Sequence, residues 1–271
     1  MGTKYGKKYN YNLNIFKNED ELSFYLLGVL MTDGCVKSNA NAITLRSKDK
    51  DWITIIRDLI CPDIKIYQEN NSWTFGIYSK ELKQWLISKG CVPKKSLTLN
   101  FPLIPKPYLS DFIRGCIDGD GSLGIYNGIS RIYLCSSSYQ FIDNASKILT
   151  SLSIKNYLYK TNQPTTFIIN DKLAKRNSDH WRLEIYRHEA KKLAQLLYYS
   201  NHKLSLNRKN LLAQKIINSE APKLGRKPNI EKQNKACELK DNGYSLQEIA
   251  KELKTSKSRV HYWTSKKLRN E

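Results

Sequence analysis

One short pattern occurs twice in this chain, and it limits the possible folds more than any other feature. Leu26-Leu27-Gly28-Val29-Leu30-Met31-Thr32-Asp33-Gly34 and Ile113-Arg114-Gly115-Cys116-Ile117-Asp118-Gly119-Asp120-Gly121 each run apolar and small, then stop at Asp-Gly. Gly28 and Thr32 are four residues apart, as are Gly115 and Gly119, so each pair lies on one stripe of its helix. Small residues at that spacing let two helix backbones approach closely. Gly34 and Gly121 are expected as left-handed helix caps. Asp33 and Asp120 are then expected at the carboxyl ends of two touching helices.

An anion is disfavoured there. The helix dipole is negative at that end and the second carboxylate adds repulsion, together about 1–2 kcal/mol. Divalent cations would remove this penalty. Paired carboxylates that hold metal also suit phosphodiester hydrolysis, where the metal activates water and neutralises the leaving oxygen.

The repeat extends well beyond the motif. From about Leu22 the pattern reads helix, two strands, helix, two strands, helix, and the order restarts near Tyr108. The expected architecture is α+β: two pseudo-symmetric αββαββα halves with saddle-shaped antiparallel sheets at 1–107 and 108–218. A basic linker follows at 219–229, then a small all-α unit at 230–271. Period-two alternation marks strands at Ile43–Arg46, Trp73–Tyr78, Arg131–Cys135 and Trp181–Tyr186. Their open faces carry Thr44, Arg46, Thr74, Arg131, Tyr133, Arg182 and Tyr186, with few acids, as a DNA-facing surface requires. Helical spacing at Asp51–Ile60, Phe141–Leu152 and Ala190–Tyr198 predicts core-covering helices behind each sheet.

Lys and Arg number 45 against 25 Asp and Glu, a net charge of +20. Such an excess raises self-repulsion without helping a fold, so a polyanion is the expected partner, with nucleic acid ahead of membrane. No apolar run is long enough to span a bilayer, and the polar N-terminus does not read as a secretory signal. An intracellular, non-secreted protein is expected. The six cysteines form no C-x-x-C pair and the four histidines do not cluster near them, which argues against zinc and against a disulfide framework. Reduced, mostly buried thiols are expected.

The paired motifs resemble those of the LAGLIDADG homing endonucleases in their single-chain form, over roughly 22–218. The second copy is the more typical; the first has Met31 where the family often has an acid. The resemblance implies a monomer whose motif helices pair along a pseudo-twofold axis, with each sheet in a major groove of double-stranded DNA. It further implies cleavage of both strands across the intervening minor groove, leaving short 3′ overhangs. Metal ligands would be Asp33, Asp120 and the carbonyls of Thr32 and Gly119. Oxygen ligands point to Mg2+ or Mn2+. A cation near each scissile phosphate would complete the chemistry; the resemblance implies a lysine for this role ahead of the second motif, matched best by Lys95 with Lys94 as fallback. In Leu206-Asn207-Arg208-Lys209 the counterpart is Lys209, with Lys203 next.

Ser219 to Pro228, with two prolines and Gly225-Arg226-Lys227, reads as a linker whose Arg226 could track a minor groove. Beyond it, Ser245 and Glu248 form a capping box, and Ile249, Leu253, Val260 and Trp263 have the spacing of two short crossed helices. This unit resembles the helix-turn-helix of resolvases, with Lys254 where the turn commonly has glycine. The resemblance implies that Lys257, Ser258, Arg259 and Tyr262 face a major groove.

The combined expectation is a sequence-specific, metal-dependent DNA endonuclease. The alternatives are a DNA-binding regulator of the same fold that has lost cleavage, and a maturase that binds intron RNA. Retention of both Asp33 and Asp120 favours the enzyme. An intein origin is the less favoured expectation, since the sequence neither starts with Cys or Ser nor ends in His-Asn.

Overall fold

The computed structural model describes residues 9–161, 166–169, 172–175, 179–219 and 230–267. Arg226 and the linker residues 220–229 lie outside these. The chain divides into two units, 1–219 and 220–271.

The first repeat runs α1 (Asn14–Lys17), α2 (Glu21–Thr32), β1 (Gly34–Val36), β2 (Ala42–Ser47), α3 (Lys50–Ile60), β3 (Tyr67–Glu69), β4 (Ser72–Tyr78) and α4 (Lys80–Ser88). The second runs α5 (Leu109–Asp120), β5 (Ser122–Tyr126), β6 (Ile129–Ser136), α6 (Tyr139–Ser151), β7 (Tyr157–Lys160), β8 (Thr166–Ile169), β9 (Lys172–Lys175), β10 (Trp181–Tyr186), α7 (His188–Leu197) and α8 (Asn207–Asn218). The αββαββα order therefore appears twice. The β8–β9 hairpin and α8 are additions to the second copy that hydrophobic patterning did not reveal.

Side-chain chemistry at the helix starts explains several boundaries. Asp20 accepts from the Ser23 N–H at 2.9 Å while Ser23 Oγ accepts from the Asp20 N–H at 2.7 Å, a reciprocal cap on α2. Ser79 accepts from the Leu82 N–H at 3.1 Å to start α4. Behind the sheets, Trp52, Ile53, Ile56 and Ile60 bury one side of α3, as the spacing predicts.

The centre of the unit is the α2–α5 pair. Ser23 to Met31 and Asp111 to Asp118 are buried without a break, the signature of helices enclosed on all sides. Two glycines make the approach possible. A Cβ on Gly28 would stand 2.3 Å from Phe112 O, and one on Gly115 only 2.1 Å from Tyr25 O. Both obstacles are backbone, so no side chain could be accommodated without parting the helices.

Gly34 and Gly121 are not left-handed caps. Gly34 opens β1, and neither glycine has a positive φ; Gly121 is extended, at φ −82° and ψ 169°. Their requirement is spatial. The strand doubles back over the last helical turn, and a Cβ would meet Leu30 O at 2.4 Å or Ile117 Cα at 2.7 Å.

The sheets are four-stranded and antiparallel, in the orders β1-β2-β4-β3 and β5-β6-β10-β7, with β8–β9 a separate hairpin. Their registers coincide. Cys35 opposes Thr44, which opposes Gly76; Ser122 opposes Tyr133, which opposes Glu184. Trp73 opposes Ser47 just as Trp181 opposes Ser136. Ile43, Leu45, Phe75 and Ile77 fill one inner face, and Ile132, Leu134, Leu183 and Ile185 fill the other.

The second unit contains α9 (Ile230–Asp241), α10 (Leu246–Glu252) and α11 (Lys257–Lys267). Ala236, Ile249, Ala250, Leu253 and Val260 form its core, with Leu239, Leu246 and Trp263 against them. The Ser245–Glu248 capping box is present, and Lys254 takes the left-handed turn position at φ 48°. Its first helix, α9, lacks an apolar stripe strong enough to read from sequence.

All six cysteines are free; Cys61, Cys91 and Cys116 are buried, Cys135 and Cys237 are half-buried, and Cys35 is exposed. That is fewer buried thiols than expected, because Cys35 and Cys135 lie on open sheet positions. Among the described residues, no helix is long and apolar enough to cross a membrane.

Candidate metal centre and nucleic-acid interface

Asp33 caps the end of α2 and Asp120 is the last residue of α5. Because these helices cross in contact, their ends bring the carboxyl groups within hydrogen-bond reach of each other. Gly119 leaves room for this meeting. A Cβ there would lie 2.1 Å from Thr32 Oγ1 and 3.6 Å from the Asp33 carboxyl carbon. Thr32 turns its hydroxyl back along α2, donating to Gly28 O at 2.9 Å.

Burial, and then the charge of Asp120, push the Asp33 carboxyl up to about 7. Asp120 is also raised, by burial first and against the pull of Lys95 and Lys209. Its side chain is nonetheless exposed, so the recess is crowded but open to water. Two acids that resist ionisation side by side are the electrostatic signature of a cation site.

The two lysines occupy matching places. Lys95 follows Lys94, whose φ is 57°, into a short 3-10 turn and donates to Gly34 O. Lys209 donates to Gly121 O at 2.7 Å. Each thus holds the carbonyl of the glycine that follows a motif aspartate. The resemblance placed both as cations near a scissile phosphate, and here they differ. Lys95 is half-buried, whereas Lys209 is 3% exposed and also donates to Ile117 O at 2.6 Å, Asp118 O at 2.7 Å and Gly119 O at 3.2 Å. Burial lowers its pKa to about 8. Lys209 is therefore an internal charge at the end of α5, with its donors committed to carbonyls. Lys203 pairs with Glu21 at 3.4 Å, at the opposite end of α2 from Asp33.

A cleft of about 280 Å3 opens beside the acids, lined by Thr32, Lys95, Asp120, Cys135, Ser137 and His180 among others. His180 contributes favourable charge to ionised Asp120, and its Nδ1 lies 3.4 Å from Ser137 Oγ. Sequence reading missed His180, Ser137 and Cys135. Only the register reveals His180, since it occupies the place of Ser72 at the start of a matching strand.

The sheet residues expected to face DNA lie on the open faces. Arg46 is exposed and donates to Glu69 O at 3.1 Å, with the Glu69 carboxylate at 3.4 Å. Thr44 and Thr74 are half-buried, and Thr74 Oγ1 is already engaged with Leu45 O at 3.0 Å. In the second sheet, Arg182 lies over the Tyr133 ring at 4.5 Å, and Tyr186 stacks on Tyr157 at 4.8 Å. Arg131 is 3.6 Å from Glu184, which accepts from Tyr159 Oη at 2.5 Å. Glu69 and Glu184 were not anticipated; each holds an arginine in place on its face. In the separate C-terminal unit, Lys257, Ser258, Arg259 and Tyr262 are all exposed on α11.

A family model described as LAGLIDADG-like domain matches residues 107–210. The structure also resembles that of I-DmoI, a homing endonuclease, in complex with DNA and Ca: TM-score 0.51, 15% identity, 73% of this chain and 99% of that one. The fold is that of the LAGLIDADG meganucleases. Among curated relatives, the Probable translation initiation factor IF-2 of Methanocaldococcus jannaschii is 28% identical over 153 residues, 53% of this chain and 13% of that protein. Its namesake in Thermococcus kodakarensis is 25% identical over 60% of this chain and 14% of its own length. The chain therefore spans about a seventh of these relatives, too little to carry an argument for a role in translation. The LAGLIDADG family match spans the second repeat alone, and the I-DmoI likeness reaches both.

Proposed function

We propose that this chain is a sequence-specific, metal-dependent DNA endonuclease that cuts both strands. The observation that carries this reading is the meeting of Asp33 and Asp120 where α2 and α5 cross, in a chain of net charge +20 whose two sheets carry basic and aromatic open faces.

The residues present fit a divalent ion. Among the described residues, no cluster of three or more His, Cys, Asp or Glu side chains could hold a metal by themselves. An ion here would rest on Asp33, Asp120 and the carbonyls of Thr32 and Gly119, completed by water and phosphate oxygens. Such an all-oxygen set suits Mg2+ or Mn2+. When bound, the metal would activate water and neutralise the leaving oxygen.

The chain's own groups do the rest. Lys95, half-open on the cleft, is the cation best placed to meet phosphate, while buried Lys209 holds the end of α5 and offsets the carboxylates through space. Arg46, Arg131, Arg182, Tyr133 and Tyr186 read base edges and hold phosphates, with Thr44 and Thr74 between them. Product with short 3′ overhangs follows from the family resemblance. The C-terminal unit, through Lys257, Ser258, Arg259 and Tyr262, extends the recognised site.

The test pairs cleavage with binding. A duplex site is first selected by the wild-type chain from a randomised library in the presence of Mg2+. Asp33→Asn and Asp120→Asn are then expected to lose cleavage by roughly 1,000-fold or more while keeping affinity within a few fold. Retained cutting in both variants would refute the metal assignment. Undiminished binding with no cleavage by the wild type would point instead to a non-cleaving regulator.

A further inference from the structure

The second motif contains an acid that metal binding does not use. Asp118 is 1% exposed and takes three donors: Tyr198 Oη at 2.7 Å, Tyr25 Oη at 2.9 Å and the Leu206 N–H at 2.7 Å. Leu206 is the residue just before α8, at its N-cap, and its own side chain does not cap that helix. Asp118 therefore caps α8 from another helix, placing negative charge at its positive end. Three residues on, Lys209 returns the favour, placing an ammonium at the negative end of α5, where Asp118 lies. The two helices cap each other.

The clamp also reaches the first repeat. Trp52 of α3 donates to Tyr25 Oη at 2.8 Å, and Arg208 pairs with Asp49 at 2.9 Å. At the place of Asp118 the first motif has Met31, which accepts nothing of the kind. Lys95 stands on a turn without any such support.

We propose that Asp118 is a positioning residue that fixes Lys209 beneath the carboxylate pair, and so sets the activity of the second half-site independently of the first. This rests on the endonuclease reading above. Replacing Asp118 with Asn keeps the shape but puts an NH2 group against one of the three donors, which loosens the seat of α8 directly at Leu206 or through the tyrosine beside it. Lys209 then loses its fixed position, while Lys95 keeps its own.

Plasmid bearing the selected site separates the outcomes when the two strands are labelled at different ends. Wild type is expected to give linear product with little nicked intermediate. Asp118→Asn is expected to accumulate nicked circles, with one strand slowed roughly 10–100-fold. That strand should be the one that Lys209→Met also slows, and the opposite of the one slowed by Lys95→Met. Tyr198→Phe, a gentler change that removes one donor to Asp118, should show the same strand bias to a smaller extent and covers the case in which Asp118→Asn does not fold. Tyr199→Phe loosens the far end of α5, where Tyr199 Oη meets Asp111 at 2.8 Å, and should leave the strand ratio unchanged. Equal slowing of both strands in the folded Asp118 or Tyr198 variants, or no slowing, would overturn the proposal while leaving the endonuclease reading intact. A wild-type chain that leaves the plasmid untouched would end both.

Discussion

The two repeats share a scaffold and differ in almost everything attached to it. Their sheets pair strand for strand in the same register, with Trp73 answering Trp181 and Tyr78 answering Tyr186. Yet in the pair Arg46–Thr74 the arginine sits on β2, and in the matching pair Cys135–Arg182 it has moved to β10, the counterpart of β4. Gly76 becomes Glu184, and Met31 becomes Asp118. The lesson is that register and helix contact are fixed by backbone geometry, while the reading surface and the support of each lysine diverge freely.

The sharpest difference is in those lysines. Removing Lys209 leaves four carbonyls, Asp118 and the acidic pair without their buried cation, so Lys209→Met is expected to lower unfolding free energy by about 3–5 kcal/mol. Lys95 is half-open and holds a single carbonyl, so Lys95→Met should cost less than about 1.5 kcal/mol. Denaturant melts of both variants check this, and equal losses would erase the distinction drawn between the half-sites.

The scaffold itself should break symmetrically. Gly28→Ala and Gly115→Ala each drive a methyl into the partner helix backbone, and each is expected to cost about 1–3 kcal/mol by the same measurement. A tolerated alanine at either position would mean that the helices can part without loss.

These cases mark where the sequence could be read. The four-residue spacing of small residues is local, so Gly28 and Gly115 announced the helix crossing, and Asp33 and Asp120 their meeting. Capping at Ser245 and Glu248 is equally local. Gly34 and Gly121 were misjudged because glycine has two uses, and composition does not say whether handedness or space requires it. Lys209 and Asp118 were obscure for another reason: their partners are 80 to 93 residues away, and burial is decided only when α8 docks. Glu184 and His180 needed the strand register before they had any neighbours at all.

The reading faces should respond differently base by base. Arg46→Ala removes the single arginine shared by the central strands of the first sheet, and Arg182→Ala removes one of two in the second. Each is expected to weaken binding by about 1–3 kcal/mol at the selected site and to relax preference in its own half-site alone. Competition binding against libraries randomised in one half-site at a time checks this. Relaxation spread across both halves would mean that the arginines serve phosphate and not bases.

The smallest effect tests the acidic pair without any cleavage assay. Asp33 has a folded pKa of about 7 against 3.8 when free, so the folded state binds the proton more tightly than the unfolded state does. Its contribution to stability then falls as pH rises, beginning near 3.8 and complete above about 7. In metal-free buffer, wild type should therefore lose stability relative to Asp33→Asn across that window. The difference is expected on the order of 1 kcal/mol, since water in the open cleft discounts what a dry carboxyl would give. Mg2+ should abolish it, because the ion takes the place of the proton between the acids. A difference that persists in saturating Mg2+, or one that runs the other way with pH, would place the two carboxyl groups too far apart to share a cation.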